Sequence, residues 1–261
     1  RRSFDRAAGK SPLHVVTAFA AEAQLVLGQT AVGEGENEVV AARALLGLID
    51  LKGALVTADA IHCNAATART VLERGGDWLF ALKANRPATL RDVVDWFADP
   101  AAAITDTHET TDADHGRVEI RRHAVVHDVA WLFPDTRDPD RPPMPGLSTI
   151  GRVEARVERD GRTSTSVRWY LSSAKLSAEA FARAVRRHWA IENGLHWVLD
   201  MAFDEDRARN RKDHGAENLA ILRKLALNVL KLARPDISIR RKRKRSGWSD
   251  AFARTILGQM R

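Results

Sequence analysis

The chain has 261 residues, 44% hydrophobic and 29% charged: room for one large domain with an insertion or for two modest ones, and no stretch apolar enough for a membrane-spanning helix. Its single cysteine, Cys63, excludes an internal disulfide and a multi-cysteine zinc site. With no signal-peptide pattern at its start, a reducing, cytoplasmic setting is expected. A net charge of +7 and a pI of about 10.0 point to a polyanionic partner, most sharply at the six consecutive basic residues Arg240, Arg241, Lys242, Arg243, Lys244 and Arg245; the competing expectation for that run is a solvated, flexible segment.

The chain opens on Arg1-Arg2-Ser3 rather than Met, so a fragment is expected. Residues 13–32, LHVVTAFAAEAQLVLGQTAV, hold two short Val- and Thr-rich runs around a polar EAQ and predict a β-hairpin. After GEGENEV, Asn37 is placed to cap a helix reaching about Asp50. ALVTADA (54–60) then reads as a strand ending at Asp59. Residues 64–74 read as a helix stopped by Gly75-Gly76, WLFALK (78–83) as a strand, and Pro87 to Ala98 as a helix. That order predicts an α/β layer with parallel strands. From about 103 to 172 the texture is strand-like, in GRVEIRRHAVV, TIGRVEARVER and TSVRWYLSS, broken by the Pro- and Asp-rich stretch 134–146. Helix returns at Ser177, an N-cap, and is expected to run unbroken to about Ala202; another spans roughly Ala216 to Ala233, before Pro235 and the basic run.

Two carboxylates stand out. At about 100° per residue, Phe181, Val185, His188, Leu195, Leu199 and Ala202 form one stripe with Glu192 near its middle, so Glu192 is expected to face the core. A carboxylate there needs an arginine, a hydrogen-bond network or a metal ion. Asp59 follows an apolar run whose C-terminal end should open onto the rim of a sheet, where ligands bind in open α/β folds; its simpler role is to cap the helix starting near Asn64. Two such carboxylates suit Mg²⁺ and phosphoryl chemistry. A zinc site on His188, Glu192 and His196 would be strained, because residues four apart drift by about 40° around a helix. Trp189 and Trp197 read as packing residues that frame the carboxylate, and His188, Asn193 and His196 as hydrogen-bonding supports.

Taken together, RRSFDRAAGKSPLHVVTAFA, GENEVVAARALLGLIDLKGALVTADAIHCN, WLFALKANRP, HGRVEIRRHAV, RWYLSS, HWAIENGLHWVLDMAFDEDRARNR, ENLAILRKLALNVLK and SIRRKRKRSGWSD resemble the DDE transposases of bacterial insertion sequences, in the ISAs-one group of H-repeat-associated proteins with an IS-four-like transposase domain. The resemblance implies an α/β, RNase H-like core, a mixed central sheet flanked by helices, in which three carboxylates hold two Mg²⁺ or Mn²⁺ ions. It divides the chain into core (1–102), β-rich insertion (103–172), core with the glutamate-bearing helix (173–234) and a basic C-terminal segment (235–261). Asp59 takes the place of the family's second aspartate and Glu192 that of its glutamate. The first aspartate belongs to a segment preceding Arg1, so the first core strand is expected to be truncated, and Asp5 does not take its role. Val185 and His188 occupy the Tyr and Arg offsets of the signature around the glutamate in related transposases.

The implied activity is cleavage and strand transfer of double-stranded DNA at transposon ends and target. Arg207, Arg209, Arg211 and the 240–245 run would contact phosphates, and a homodimer on DNA in the bacterial nucleoid is the implied assembly. An inactive DNA-binding remnant lacking the first aspartate and a nonspecific RNase H-like nuclease are the competing expectations.

Overall fold

Eight strands and eight α-helices make up the described residues of the computed structural model: 12–33, 35–114, 117–133 and 142–259. They group into two units, one comprising Leu46–His188 and the other the residues up to Leu45 with Trp189 onward. Arg1-Arg2-Ser3, Asp5 and residues 134–141 of the Pro- and Asp-rich stretch lie outside the described residues.

In the unit that includes both chain ends, β1 (Val15–Ala20) and β2 (Leu25–Ala31) form the expected antiparallel hairpin, with a register shift between Ala18 and Phe19. Asn37 caps α1 (Glu38–Gly47), its side-chain oxygen accepting from the Val40 N–H at 3.0 Å. The rest of this unit follows the second unit in sequence and is described after it.

In the Leu46–His188 unit, β3 (Leu55–Ala58) runs parallel to β4 (Asp77–Leu82), joined by α2 (Ala65–Glu73). Pro87 opens α3 (Pro87–Ala98), where its missing N–H costs nothing. Then come β5 (Asp106–Asp114), β6 (Arg117–Val126), β7 (Thr149–Arg159) and β8 (Arg162–Ser172), so the β-rich stretch is present. Its strands join β3 and β4 in one six-stranded sheet of order β3-β4-β8-β7-β6-β5, in which only the β3–β4 pair is parallel.

Alternation along the strands divides the buried residues between two faces. Trp78, Phe80, Val126, Ile150 and Leu171 pack with Ala68 and Val71 of α2 and Val93 of α3. On the opposite face Leu79, Val125, Val153 and Tyr170 pack under α4 (Ala178–His188), which buries Phe181 and Val185. Ser177 caps α4 as expected, accepting from the Ala180 N–H at 3.2 Å.

The expected single helix from Ser177 to Ala202 is interrupted. It ends as α4 at His188, and after a turn at Trp189 a π-helical stretch, Glu192–His196, leads into α5 (Trp197–Phe203). Phe181 and Val185 therefore serve the core under α4, whereas Leu195 and Leu199 pack with Phe19, Val26 and Leu227 in the other unit. What reads as one stripe is two stripes facing two cores.

The first unit is completed by α6 (Gly215–Leu232), α7 (Ile239–Trp248) and α8 (Asp250–Gly258). Asn228 of α6 pairs with both backbone groups of Val26, accepting from its N–H (2.9 Å) and donating to its carbonyl (2.8 Å). The basic run is not a loose segment: Ser238 and Ser249 cap α7 and α8, and Phe252 and Ile256 pack with Leu230 and Ala233. Among the described residues, no helix is long and apolar enough to cross a membrane.

Candidate functional site

Asp59 stands one residue past the C-terminal end of β3, with its side chain 71% exposed. It does not cap the helix that follows. That role belongs to Asn64, whose Oδ1 accepts from the Thr67 N–H at 2.9 Å, while Asp59 makes no side-chain cap bond even to the short 3₁₀ turn Ala60–His62. Its ionisable neighbour is His188 at the end of α4, with Nε2 3.8 Å from Asp59 Oδ1 and Nδ1 3.1 Å from Thr57 Oγ1. Sequence reading singled out His188 but missed Thr57, an ordinary-looking residue inside a short strand.

Glu192 is a correction to the helical-wheel expectation: its side chain is 57% exposed and does not face the core. The cause is local backbone geometry. The Trp197 N–H bonds to the Glu192 carbonyl, five residues back rather than four, and this wider turn rotates Glu192 out of phase with Leu195 and Leu199. Such turns concentrate at functional sites. The Glu192 carboxylate lies 3.2 Å from His196 Nδ1 and pairs with no arginine or lysine among the described residues, so the expected core salt bridge is absent as well. Asn193 is exposed. Trp189 and Trp197 are 48% and 61% exposed, a correction to their reading as packing residues.

Lys231, which the sequence did not flag, secures this turn. Its ammonium donates to the carbonyls of Gly194 (2.8 Å) and of Gln24 in the hairpin (2.6 Å), and it lies 5.0 Å from the centroid of the Phe19 ring. Burial lowers its pKa. A periodicity search cannot find such a residue, because it serves carbonyls distant in sequence.

Beside the turn is a cavity of about 250 Å³ lined by His196, Leu199, Glu205, Asp206, Arg223 and Lys224, among others. Burial raises the pKa of Glu205, opposed by Lys224 and Arg223, and lowers that of Lys224, whose ammonium donates to Gln29 Oε1 at 2.6 Å. The Asp200 carboxyl is also raised, mainly by burial and then by Asp206.

Among the described residues, no three His, Cys, Asp or Glu side chains converge as a complete metal site. Asp59 and Glu192 are each a hard, exposed oxygen donor of the kind Mg²⁺ and Mn²⁺ favour, and neither is spent on an arginine or lysine among the described residues. Cys63 offers nothing to a metal: it is buried and its thiol pKa is pushed up to about 11.

The expected DNA-contact residues divide. Arg207, Arg209 and Arg211 are exposed, with Arg207 3.5 Å from Asp204. Arg240, Arg241 and Lys244 are exposed on α7. Lys242 is a correction: only 3% exposed, it donates to the carbonyls of Leu230 (2.9 Å) and Ala233 (2.6 Å) at the end of α6 and is closed to phosphates. Arg243 and Arg245 lie 5.9 and 4.4 Å from the Phe203 and Phe252 ring centroids.

The family model described as the transposase DDE domain matches residues 1–229. This chain belongs to that family. As a DDE-domain chain it is 34% identical over 238 residues to YhhI of Escherichia coli (strain K12), an H repeat-associated protein named as a candidate transposase, covering 88% of this chain and 61% of YhhI. It is equally similar to the protein YbfL of the same strain, with the same coverage. With YncI of Escherichia coli O157:H7, also named a candidate transposase, it shares 34% identity over 263 residues, 98% of this chain and 66% of YncI. The DDE-domain chain thus spans about three fifths to two thirds of the length of these relatives. Its six-stranded mixed sheet flanked by helices is the RNase H-like fold of DDE transposases.

Proposed function

We propose that this chain is the catalytic part of an insertion-sequence transposase, which hydrolyses phosphodiester bonds at the element's ends and joins the freed 3′-hydroxyl to target DNA in a cytoplasmic, nucleoid-associated setting. The observation that carries the reading is the two exposed carboxylates, Asp59 and Glu192, each beside a histidine and neither paired with an arginine or lysine among the described residues, in a DDE-domain chain. These two residues would hold Mg²⁺ or Mn²⁺, together with the first aspartate that the family resemblance sets upstream of Arg1. Bound divalent ions supply activation of the attacking oxygen and stabilisation of the leaving one.

The chain's own part is positioning. His196 restrains the Glu192 carboxylate from one helical turn away, and Thr57 orients the His188 ring beside Asp59. Arg207, Arg209, Arg211, Arg240, Arg241, Arg243, Lys244 and Arg245, all exposed, would contact phosphates, which gives salt-sensitive binding with little base specificity. Oxidised or reduced, the buried Cys63 takes no part.

The test is Mg²⁺-dependent cleavage and joining of DNA carrying the element's ends, with the chain extended by its upstream sequence. Glu192→Gln and Asp59→Asn each abolish cleavage and leave DNA affinity intact, whereas His196→Ala costs about 10- to 100-fold in rate. Unaltered cleavage in Glu192→Gln removes that residue from the mechanism. An extended chain that binds DNA and never cuts it is an inactive remnant, and cutting without regard to the ends marks a nonspecific nuclease.

A further inference from the structure

We propose that Trp248 is a base-stacking residue and that the exposed face of α7 binds DNA where its bases are unpaired; the proposal rests on the reading of the chain as a DNA-processing protein. It begins from how α7 is seated. Ile239 and Ser246 are half-buried, Lys242 is buried on the carbonyls ending α6, and Arg243 and Arg245 lie beside Phe203 and Phe252. Arg243 and Arg245 are themselves exposed, and four further long side chains face solvent with no ring or carbonyl partner among the described residues: Arg240, Arg241, Lys244 and Trp248. At 3.6 residues per turn they fall within about 100° of arc, with Trp248 between Lys244 and Arg241. None of the three cations has a carboxylate partner among the described residues.

Trp248 is 81% exposed, the most exposed of the described tryptophans, ahead of Trp197 at 61%. A Cβ built on the adjacent Gly247 would meet no atom within 4 Å, so the backbone beside the indole is also open. A single indole among three unpaired cations does not suit an apolar protein surface, which would have to desolvate those charges. It also lacks the broad apolar face of a membrane-surface helix, since Trp248 is the only apolar side chain on this face of α7. Cations that follow a phosphate backbone, with an aromatic ring for a base to stack on, are the combination that binds single-stranded nucleic acid. In a paired duplex both faces of a base are already stacked, so the indole distinguishes opened DNA from closed.

The experiment measures the affinity of the chain for three labelled DNAs of the same sequence, a duplex, the duplex with an unpaired tail and the single strand, across a series of salt concentrations. Trp248→Ala weakens binding to the tailed and single-stranded DNAs by about 5- to 150-fold, the value of one base–aromatic stack, and leaves duplex affinity and all three salt slopes unchanged. Trp248→Phe restores most of the loss. Equal losses on all three DNAs, no loss, or a change of oligomeric state in Trp248→Ala seen by sedimentation overturns the proposal. Substituting Arg240, Arg241 and Lys244 by Gln tests the underlying reading separately: it lowers the salt slope on every DNA, and an unchanged slope removes α7 from DNA contact whatever Trp248 does.

Discussion

Lys242 differs from Lys244, the other lysine of the basic run, in position alone. Two residues either way along α7 the same ammonium would be in water; at 242 it closes the C-terminal end of α6, where helix carbonyls lack partners of their own. Lys242→Met keeps the bulk of the stem and removes the donor, leaving two carbonyls unsatisfied in a buried place. The expected cost is about 1–3 kcal/mol, read as a lower midpoint in thermal or denaturant unfolding, with no change in the salt slope of DNA binding. A variant as stable as the native chain, or one with a reduced slope, would make Lys242 a phosphate contact after all. Burial, which no run of six basic letters encodes, separates this residue from Arg240, Arg241 and Lys244.

At the scale of elements, the position of α4 depends on a glycine. Phe181 lies over Gly151 of β7 so closely that a Cβ there would overlap the ring, and the T-shaped contacts of Phe181 with Tyr170 and His123 leave it little room to withdraw. Gly151→Ala should therefore cost about 1–3 kcal/mol in unfolding experiments, and it should lower cleavage as well, because α4 ends at the His188 that stands beside Asp59. Native stability in that variant would mean that the helix yields freely. The hairpin, α1, α2, α3 and α6, most strands and the caps at Asn37 and Ser177 were legible from period and capping residues, whereas β5, α7 and α8 were not. The break between α4 and α5 was not: HWAIENGLHWVLD keeps an apolar period throughout, and only the five-residue hydrogen bond at Glu192 reveals that the phase changes.

For the whole molecule, the two units respond to acid in opposite directions. In the Leu46–His188 unit, burial lowers the pKa of His123, and hydrogen bonds from Arg121 and Arg186 lower that of Asp112. Above about pH 6.5 His123 is neutral whether folded or unfolded and contributes no slope. Below it the unfolded chain takes up the proton first, so stability falls with pH until the lower folded pKa is reached. Asp112 extends the loss, since the stability it contributes is present above the ordinary aspartate value of 3.8 and disappears as pH drops through the lower folded value. In the other unit, Asp200 and Glu205 are raised, so their burial is costly at neutral pH and is relieved on acidification. Hydrogen exchange at pH 5.5 against pH 7.5 should show β6 and α4 losing protection while α5 keeps its own, and His123→Leu should remove much of that loss. Equal loss in both units would refute the assignment.

The sequence by itself determined most of the helices and strands as far as α6, the caps at Asn37 and Ser177, the place of Asp59 beyond its strand and the family to which the chain belongs, because all of these are written in local spacing and in residues quoted in order. Only the tertiary structure decided that residues 103–172 extend the sheet of β3 and β4, that Glu192 faces solvent, that Lys231 holds its turn and that Lys242 is a cap. Three of the four depend on where a carbonyl or a strand edge from another element finds its partner, and periodicity carries no information about such partners. The fourth, Glu192, depends on a hydrogen bond that spans five residues instead of four, which an apolar period does not distinguish.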